Sequence, residues 1–313
     1  MPLDPYLGKV LQTMAAAGRK PPHELPLSEG RAGYYALTFG TRAPQQIVEI
    51  GSVENIEVQG AAGKLKARVY RPKSSGQKPT VVFFHGGGFV FGDLDTHDNM
   101  CRDICKSSDS VVVAVDYRLA PEAPFPAAVN DTLAATKWVL QHVAEFGGSN
   151  AVGVAGDSAG GNLAAVVSQL LSAEGIKLAA QFLIYPGVDN IEADYPSRAE
   201  NAKGYFLEQD TLHWFFTQYV AEWENVRAPH LTPIHAANFS ELPPAVIVSA
   251  EFDPLRDEAE VYGEKLRAAG VEVEMVRAEG MIHGFFDMGR WSPNAQAIID
   301  KTSTAFGELL RKA

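Results

Sequence analysis

From about residue 53 onward, short apolar runs of strand length alternate with longer stretches of helical periodicity. Asn55-Ile-Glu-Val-Gln59 and Lys64-Leu-Lys-Ala-Arg-Val-Tyr70 alternate in and out around Gly60-Ala-Ala-Gly63, which predicts a two-stranded hairpin. Pro79–Phe84, Ser110–Tyr117, Asn150–Ala155, Lys177–Tyr185 and Ala245–Ala250 read as buried strands, and Val271–Val276 alternates like a strand. Helical patterns run from Phe125 to Glu145, stopping at Gly147-Gly148, from Gly161 to Leu171, and from Asn294 to Arg311. Strands and helices in alternation fold as a mostly parallel sheet with helices on both faces, so the fold class expected is α/β.

Two stretches break the alternation. Residues 1–48 carry Lys20-Pro21-Pro22-His-Glu-Leu-Pro26 with helical patterns on either side. Residues 188–235 follow Tyr185-Pro186-Gly187 and carry an aromatic-rich helix across Phe206–Val220, starting near Glu208 and Asp210. The division expected is a core of 49–187 and 236–313, with 1–48 and 188–235 as two parts of a helical cap over it. The plainer alternative for the aromatic helix is packing against the core.

One strand-to-helix junction carries Gly156-Asp157-Ser158-Ala159-Gly160. A serine on such a sharp turn projects its hydroxyl out of the backbone beside a helix N-terminus. The flanking glycines are needed where strand and helix cross closely. Upstream, the Pro79–Phe84 strand runs into His85-Gly86-Gly87-Gly88-Phe89. Three consecutive glycines weaken local structure and need a reason. Their N–H groups can point at one spot and hold an oxygen that gains charge, so Gly87, Gly88 and Ala159 are the candidate oxyanion donors. A flexible turn is the alternative. His85 and Gly86 are read as loop supports, His85 bracing it through side-chain hydrogen bonds, and Asp157 as a support next to the serine.

A serine nucleophile needs a base, and the base needs an orienting acid. Of the eight histidines, His283 sits after the Val271–Val276 strand, on a loop next to Gly284. His23, His97, His142, His213, His230 and His235 read as solvated or hydrogen-bonded surface residues. Asp253 stands at the end of the Ala245–Ala250 strand, with Pro254 suiting the first turn of a helix. Asp257 and Glu251 are its rivals. Asp257 falls in a first helical turn, where the helix dipole alone favours an acid, and Glu251 can help hold the loop. Position in the order serine, acid, histidine favours Asp253.

Taken together, His85-Gly86-Gly87-Gly88-Phe89, Asp116-Tyr117-Arg118-Leu119-Ala120-Pro121-Glu122, Gly156-Asp157-Ser158-Ala159-Gly160-Gly161, Asp253-Pro254-Leu255-Arg256-Asp257 and His283-Gly284-Phe285 resemble the bacterial hormone-sensitive-lipase-like carboxylesterases of the α/β-hydrolase superfamily. The resemblance implies Ser158, Asp253 and His283 as a catalytic triad. It also implies eight mostly parallel strands, a separate cap, and ester substrates with short to medium acyl chains. Other acyl chemistry on the same triad (an amidase, formamidase or acyltransferase) is one alternative. A non-enzymatic receptor on this fold is another, although receptors of that kind typically lack the base histidine and His283 is present here.

Bulk properties narrow the partners. The chain has 313 residues, 46% of them hydrophobic and 21% charged, enough for one sizeable core with a subdomain. A formal charge of −11 argues against nucleic acid and against anionic membranes. No apolar run approaches the roughly 18 residues of a membrane span. Met1-Pro-Leu-Asp-Pro-Tyr-Leu-Gly-Lys lacks a basic start and an apolar core, so no signal peptide and a cytoplasmic location are expected. Cys101 and Cys105 fit one helix face as reduced, semi-buried thiols. No phosphate or dinucleotide loop and no metal-ligand set is read, so neither cofactor nor metal is expected. The strand at 271–276 is expected at a sheet edge, which makes a homodimer the assembly to consider.

Overall fold

The computed structural model describes residues 2–220 and 226–313; Met1 of the first expected cap stretch and 221–225 of the second lie outside the described residues. The strands are β1 (Ser52–Gly60), β2 (Gly63–Arg71), β3 (Lys78–Phe84), β4 (Val111–Val115), β5 (Gly148–Asp157), β6 (Gln181–Ile184), β7 (Ala245–Phe252) and β8 (Val273–Ile282). They form one sheet in the order β1-β2-β4-β3-β5-β6-β7-β8. β1–β2 and β2–β4 pair antiparallel, and every other neighbouring pair is parallel. β8 is an edge, as expected for the strand at 271–276.

The helices are α1 (Pro5–Ala16), α2 (Leu27–Tyr35), α3 (Asp98–Ser108), α4 (Ala127–His142), α5 (Ala159–Ala173), α6 (Pro196–Glu200), α7 (Gln209–Tyr219), α8 (Arg256–Ala268) and α9 (Pro293–Arg311). Successive strand residues point to opposite faces, and the core divides accordingly. Val81 and Val112 pack in one cluster with Ile104 of α3 and Phe306 of α9. Val82 and Val113 pack in the other with Val139 of α4, Leu163 of α5 and Tyr262 of α8. Both faces of the parallel strands are therefore dry, which is why β3 and β4 read as unbroken apolar runs.

Several boundaries differ from the sequence reading. The strand expected over 177–185 is β6 alone, because Lys177–Ala180 precede its ladder with β7. β8 extends to Ile282, well past the alternation that ends at Val276. Its pairing with β7 shifts register at Ala250/Phe252 and resumes at Phe252↔Ile282, so the strand survives the Glu279-Gly280 break. α8 begins at Arg256, with Leu255 as the capping residue, so Pro254 precedes the helix rather than opening it. Cys101 and Cys105 do share a face, but both are completely buried rather than half-buried. Burial pushes the Cys105 thiol up to about 12.

Asp103 on α3 is buried against α9, where Gln296 Nε2 donates to its Oδ1 at 3.1 Å. Burial raises its carboxyl to about 7. An acid raised in the fold favours the protonated form, so it costs stability as pH rises from the unfolded value of about 3.9 through that folded value. Asp103→Asn is therefore expected to stabilise by about 1 kcal/mol or more at pH 8 and by almost nothing at pH 4. Thermal melts of both proteins at the two pH values check this; an equal Tm difference at both would refute it.

Candidate active site

β5 leads straight into α5, and the residue between them is Ser158. Its backbone sits at φ +54° and ψ −118°, a conformation that L residues rarely adopt. Such a residue is strained by about 1–3 kcal/mol and persists only where its surroundings hold it. Here its N–H donates to the Ile184 carbonyl at 2.8 Å, and its own carbonyl accepts from Asn162 N–H at 3.0 Å. A side chain at Gly160 would run into the carbonyl of Phe84, and one at Gly156 into the backbone of Gly160. Close crossing of β3, β5 and α5 is thus what demands both glycines.

Three side chains from separate strand ends converge. His283 follows β8 directly, and its Nε2 lies 2.9 Å from Ser158 Oγ. Its Nδ1 lies 2.7 Å from Asp253 Oδ2, just after β7. Asp253 is completely buried, and its Oδ1 accepts the Leu255 N–H at 2.9 Å. A carboxylate only accepts, so Nδ1 carries the proton of a neutral imidazole and Nε2 is left to accept from the serine hydroxyl. Asp257, the rival acid, is engaged elsewhere, by the Ser197 N–H at 2.8 Å and by Arg256. Glu251 accepts the Gly280 N–H at 2.6 Å and so pins the kinked end of β8 that carries His283.

The glycine loop faces the same serine. Gly87 and Gly88 have φ of +111° and +62°, the left-handed side that glycine enters freely. A side chain at Gly88 would meet the ring of Phe215 on α7. Gly86 N–H donates to Asp157 Oδ1 at 2.8 Å. His85 is buried, stacks on Tyr117 at 4.3 Å, and its Nδ1 is 2.8 Å from the Gly86 carbonyl. Tyr117 hydroxyl donates to the His85 carbonyl at 2.6 Å. Burial, with His97 adding, lowers the His85 pKa to about 4, so the ring is a neutral brace.

His97 departs from the sequence reading. It is not a surface histidine but is buried, with Nε2 3.5 Å from Asp157 Oδ1. Its setting was hidden because no strand precedes it in the sequence; packing of the 93–97 turn onto the β5–α5 junction puts it there.

A cavity of about 350 Å³ opens above Ser158 and His283. Its walls come from the core (Gly88) and from both stretches outside the alternation: Met14 of α1, Tyr34 of α2, and Phe215 and Tyr219 of α7. Tyr219 stacks on Phe89 at 3.8 Å, so the aromatic helix rests on the glycine loop itself. His23 Nδ1 lies 2.9 Å from Thr211 Oγ1 and joins the two stretches. Arg31 of α2 donates to the carbonyls of Val90 and Ala120 and pairs with Glu122. Arg198 and Glu258, also in the wall, form a buried ion pair, and Glu258 also accepts the Val188 and Asp189 N–H groups. None of these contacts was legible in the sequence, because each joins residues far apart in the chain with no local pattern to mark them.

The family model described as alpha/beta hydrolase fold matches residues 81–287, which carry the serine, the acid, the histidine and the glycine loop. The chain belongs to the α/β-hydrolase family. Carboxylic ester hydrolase LipN of Mycobacterium tuberculosis is 43% identical to this hydrolase over 266 residues, covering 82% of this chain and 70% of that one. Ethyl acetate hydrolase of Pseudomonas putida is 34% identical over 305 residues, covering 92% and 93%. Among solved structures, ester-hydrolase EH1AB1 from the metagenome of Lake Arreo superposes with a TM-score of 0.92 at 37% identity, covering 98% of each chain. These names agree with the carboxylesterase branch that the motifs of this hydrolase resemble. Among its described residues, no helix is long and apolar enough to cross a membrane.

Proposed function

We propose that this hydrolase is a serine carboxylesterase acting on short- to medium-chain acyl esters. The observation that carries the reading is the continuous Ser158–His283–Asp253 relay, 2.9 and 2.7 Å, beneath an apolar cavity. Ser158 Oγ attacks the ester carbonyl carbon while its proton passes to His283 Nε2. Asp253 holds the ring in the required tautomer and stabilises its cationic form. Electrons displaced from the carbonyl gather on its oxygen, where the N–H groups of Gly87, Gly88 and Ala159 receive it. Ala159 is the first residue of α5, and the first N–H groups of a helix have no acceptor within it. Collapse of the tetrahedral species expels the alcohol, which takes its proton from His283. Water then attacks the acyl-enzyme with His283 again as base, releasing the acid and restoring the serine.

Residues 1–48 and 188–235 serve as the two parts of a cap that encloses the acyl chain. Supporting this, α1, α2 and α7 supply the apolar walls facing Ser158. About 350 Å³ is near the small end of the range of about 300–1,000 Å³ usual for ligand pockets, which suits short chains better than long ones. A series of p-nitrophenyl esters from acetate to palmitate tests this. kcat/KM is expected to peak among the short and medium acyl chains and to be at least about tenfold lower for palmitate. A maximum at palmitate would refute the size assignment.

A further inference from the structure

We propose that His97 is a positioning residue: as an imidazolium it neutralises the buried Asp157 carboxylate, and so keeps Asp157 on the Gly86 N–H and the glycine loop in its oxyanion-receiving shape. This rests on the reading of Gly87, Gly88 and Ala159 as oxyanion donors.

The hydrogen-bond pattern assigns the charge. Thr96 hydroxyl donates its one proton to the Asp93 carbonyl at 2.9 Å. Its oxygen can therefore only accept from His97 Nδ1, which lies 2.9 Å away. His97 Nε2 faces Asp157 Oδ1, an acceptor, at 3.5 Å. Both ring nitrogens thus face acceptors, Nδ1 at hydrogen-bond distance and Nε2 at ion-pair distance, an arrangement that the doubly protonated ring satisfies. Asp157 needs this partner. It is 5% exposed and holds Gly86 N–H with the same oxygen that faces His97. A buried carboxylate without a counter-charge does not stay ionised. The other groups facing this spot are Asp93 and Asp287, which add negative charge, Tyr34, and His85, which is neutral. Arg42 Nη2 is taken by Asp287 at 3.1 Å. Burial is the largest single influence on His97 and lowers its pKa, but the Asp157, Asp287 and Asp93 carboxylates together outweigh it and the net shift is upward, while Asp157 is held below the usual carboxylate range. His97 touches neither the cavity nor the serine, so its loss acts on the loop and not on ester binding.

His97→Ala is expected to lower kcat for p-nitrophenyl butyrate about 10- to 100-fold, less than the 10²–10³-fold usual for removing an oxyanion donor itself. KM should stay within about twofold. Affinity for a trifluoromethyl ketone, which accepts Ser158 Oγ at its carbonyl carbon and leaves an oxyanion in the loop, should fall in parallel with kcat. The decisive variant is His97→Ala/Asp157→Asn. Removing the carboxylate's charge removes the need for its partner, so this double variant should turn over faster than His97→Ala alone. A wild-type kcat in His97→Ala, or a loss undiminished by Asp157→Asn, overturns the proposal. Should His97→Ala fail to fold, nitrogen-15 spectra of the wild type at pH 8, where an unpaired imidazole is neutral, decide: both His97 nitrogens protonated supports the assignment, and a neutral ring refutes it. If the wild type does not bind the ketone, or Ser158→Ala stays active, the reading of the site has failed rather than the role of His97.

Discussion

Ser158→Ala is expected to lower kcat for p-nitrophenyl butyrate about 10⁶-fold, the loss typical of removing the nucleophile from a serine relay. The size follows from the chemistry. Without Oγ there is no acyl-enzyme, and any remaining hydrolysis must come from water directed by the loop and the cavity alone. The fold should be unaffected. Alanine fills less space than serine, Ser158 is half-buried, and the bonds that hold its strained backbone come from its N–H and carbonyl, which alanine keeps. The Tm should move little. Turnover within about a hundredfold of wild type, measured on protein free of contaminating esterase, would take the reaction away from this serine.

The second large effect is expected at Asp253. Asp253→Asn keeps the shape of the side chain and an oxygen for the Leu255 N–H, which is 2.9 Å from Oδ1. The other oxygen, 2.7 Å from His283 Nδ1, is replaced by an amide that donates. His283 then has to accept at Nδ1, which moves its proton to Nε2, the atom facing Ser158 Oγ. A protonated Nε2 cannot take the serine's hydrogen. A change of this kind costs about 10⁴ in kcat with the geometry intact. KM should stay near the wild-type value, because Asp253 is fully buried and does not line the cavity. A loss of less than about tenfold would mean that another acid orients His283.

The two effects come from residues that were legible to different degrees. Ser158 announced itself, because a strand, a glycine-flanked serine and a helix within a short span dictate one local geometry. Asp253 did not, since Asp257 and Glu251 lie within a few residues and are equally acidic. The structure separates them by where each points: Asp253 to His283, Asp257 to α6, Glu251 to the Gly280 turn. His283 was placed on a loop by its glycine neighbour, and it is the turn residue that directly follows β8. The alternation read from the sequence ended at Val276, yet the ladder with β7 ran on and closed again beyond Gly280. His97 was misjudged for the opposite reason. Nothing in its neighbourhood resembles a site, and only burial against Asp157 gives it a role.

By itself the sequence determined the strand and helix alternation, the parallel core, the sharp serine turn and the glycine loop. Each is set by residues adjacent in the chain, through backbone sterics and the periodicity of apolar side chains. Tertiary structure alone decided which acid meets His283, that His97 lies beneath the glycine loop, and that α1, α2 and α7 enclose one cavity of about 350 Å³. Such contacts join positions 30, 71 or 125 residues apart. Whether they form depends on how whole elements pack, which no local pattern encodes.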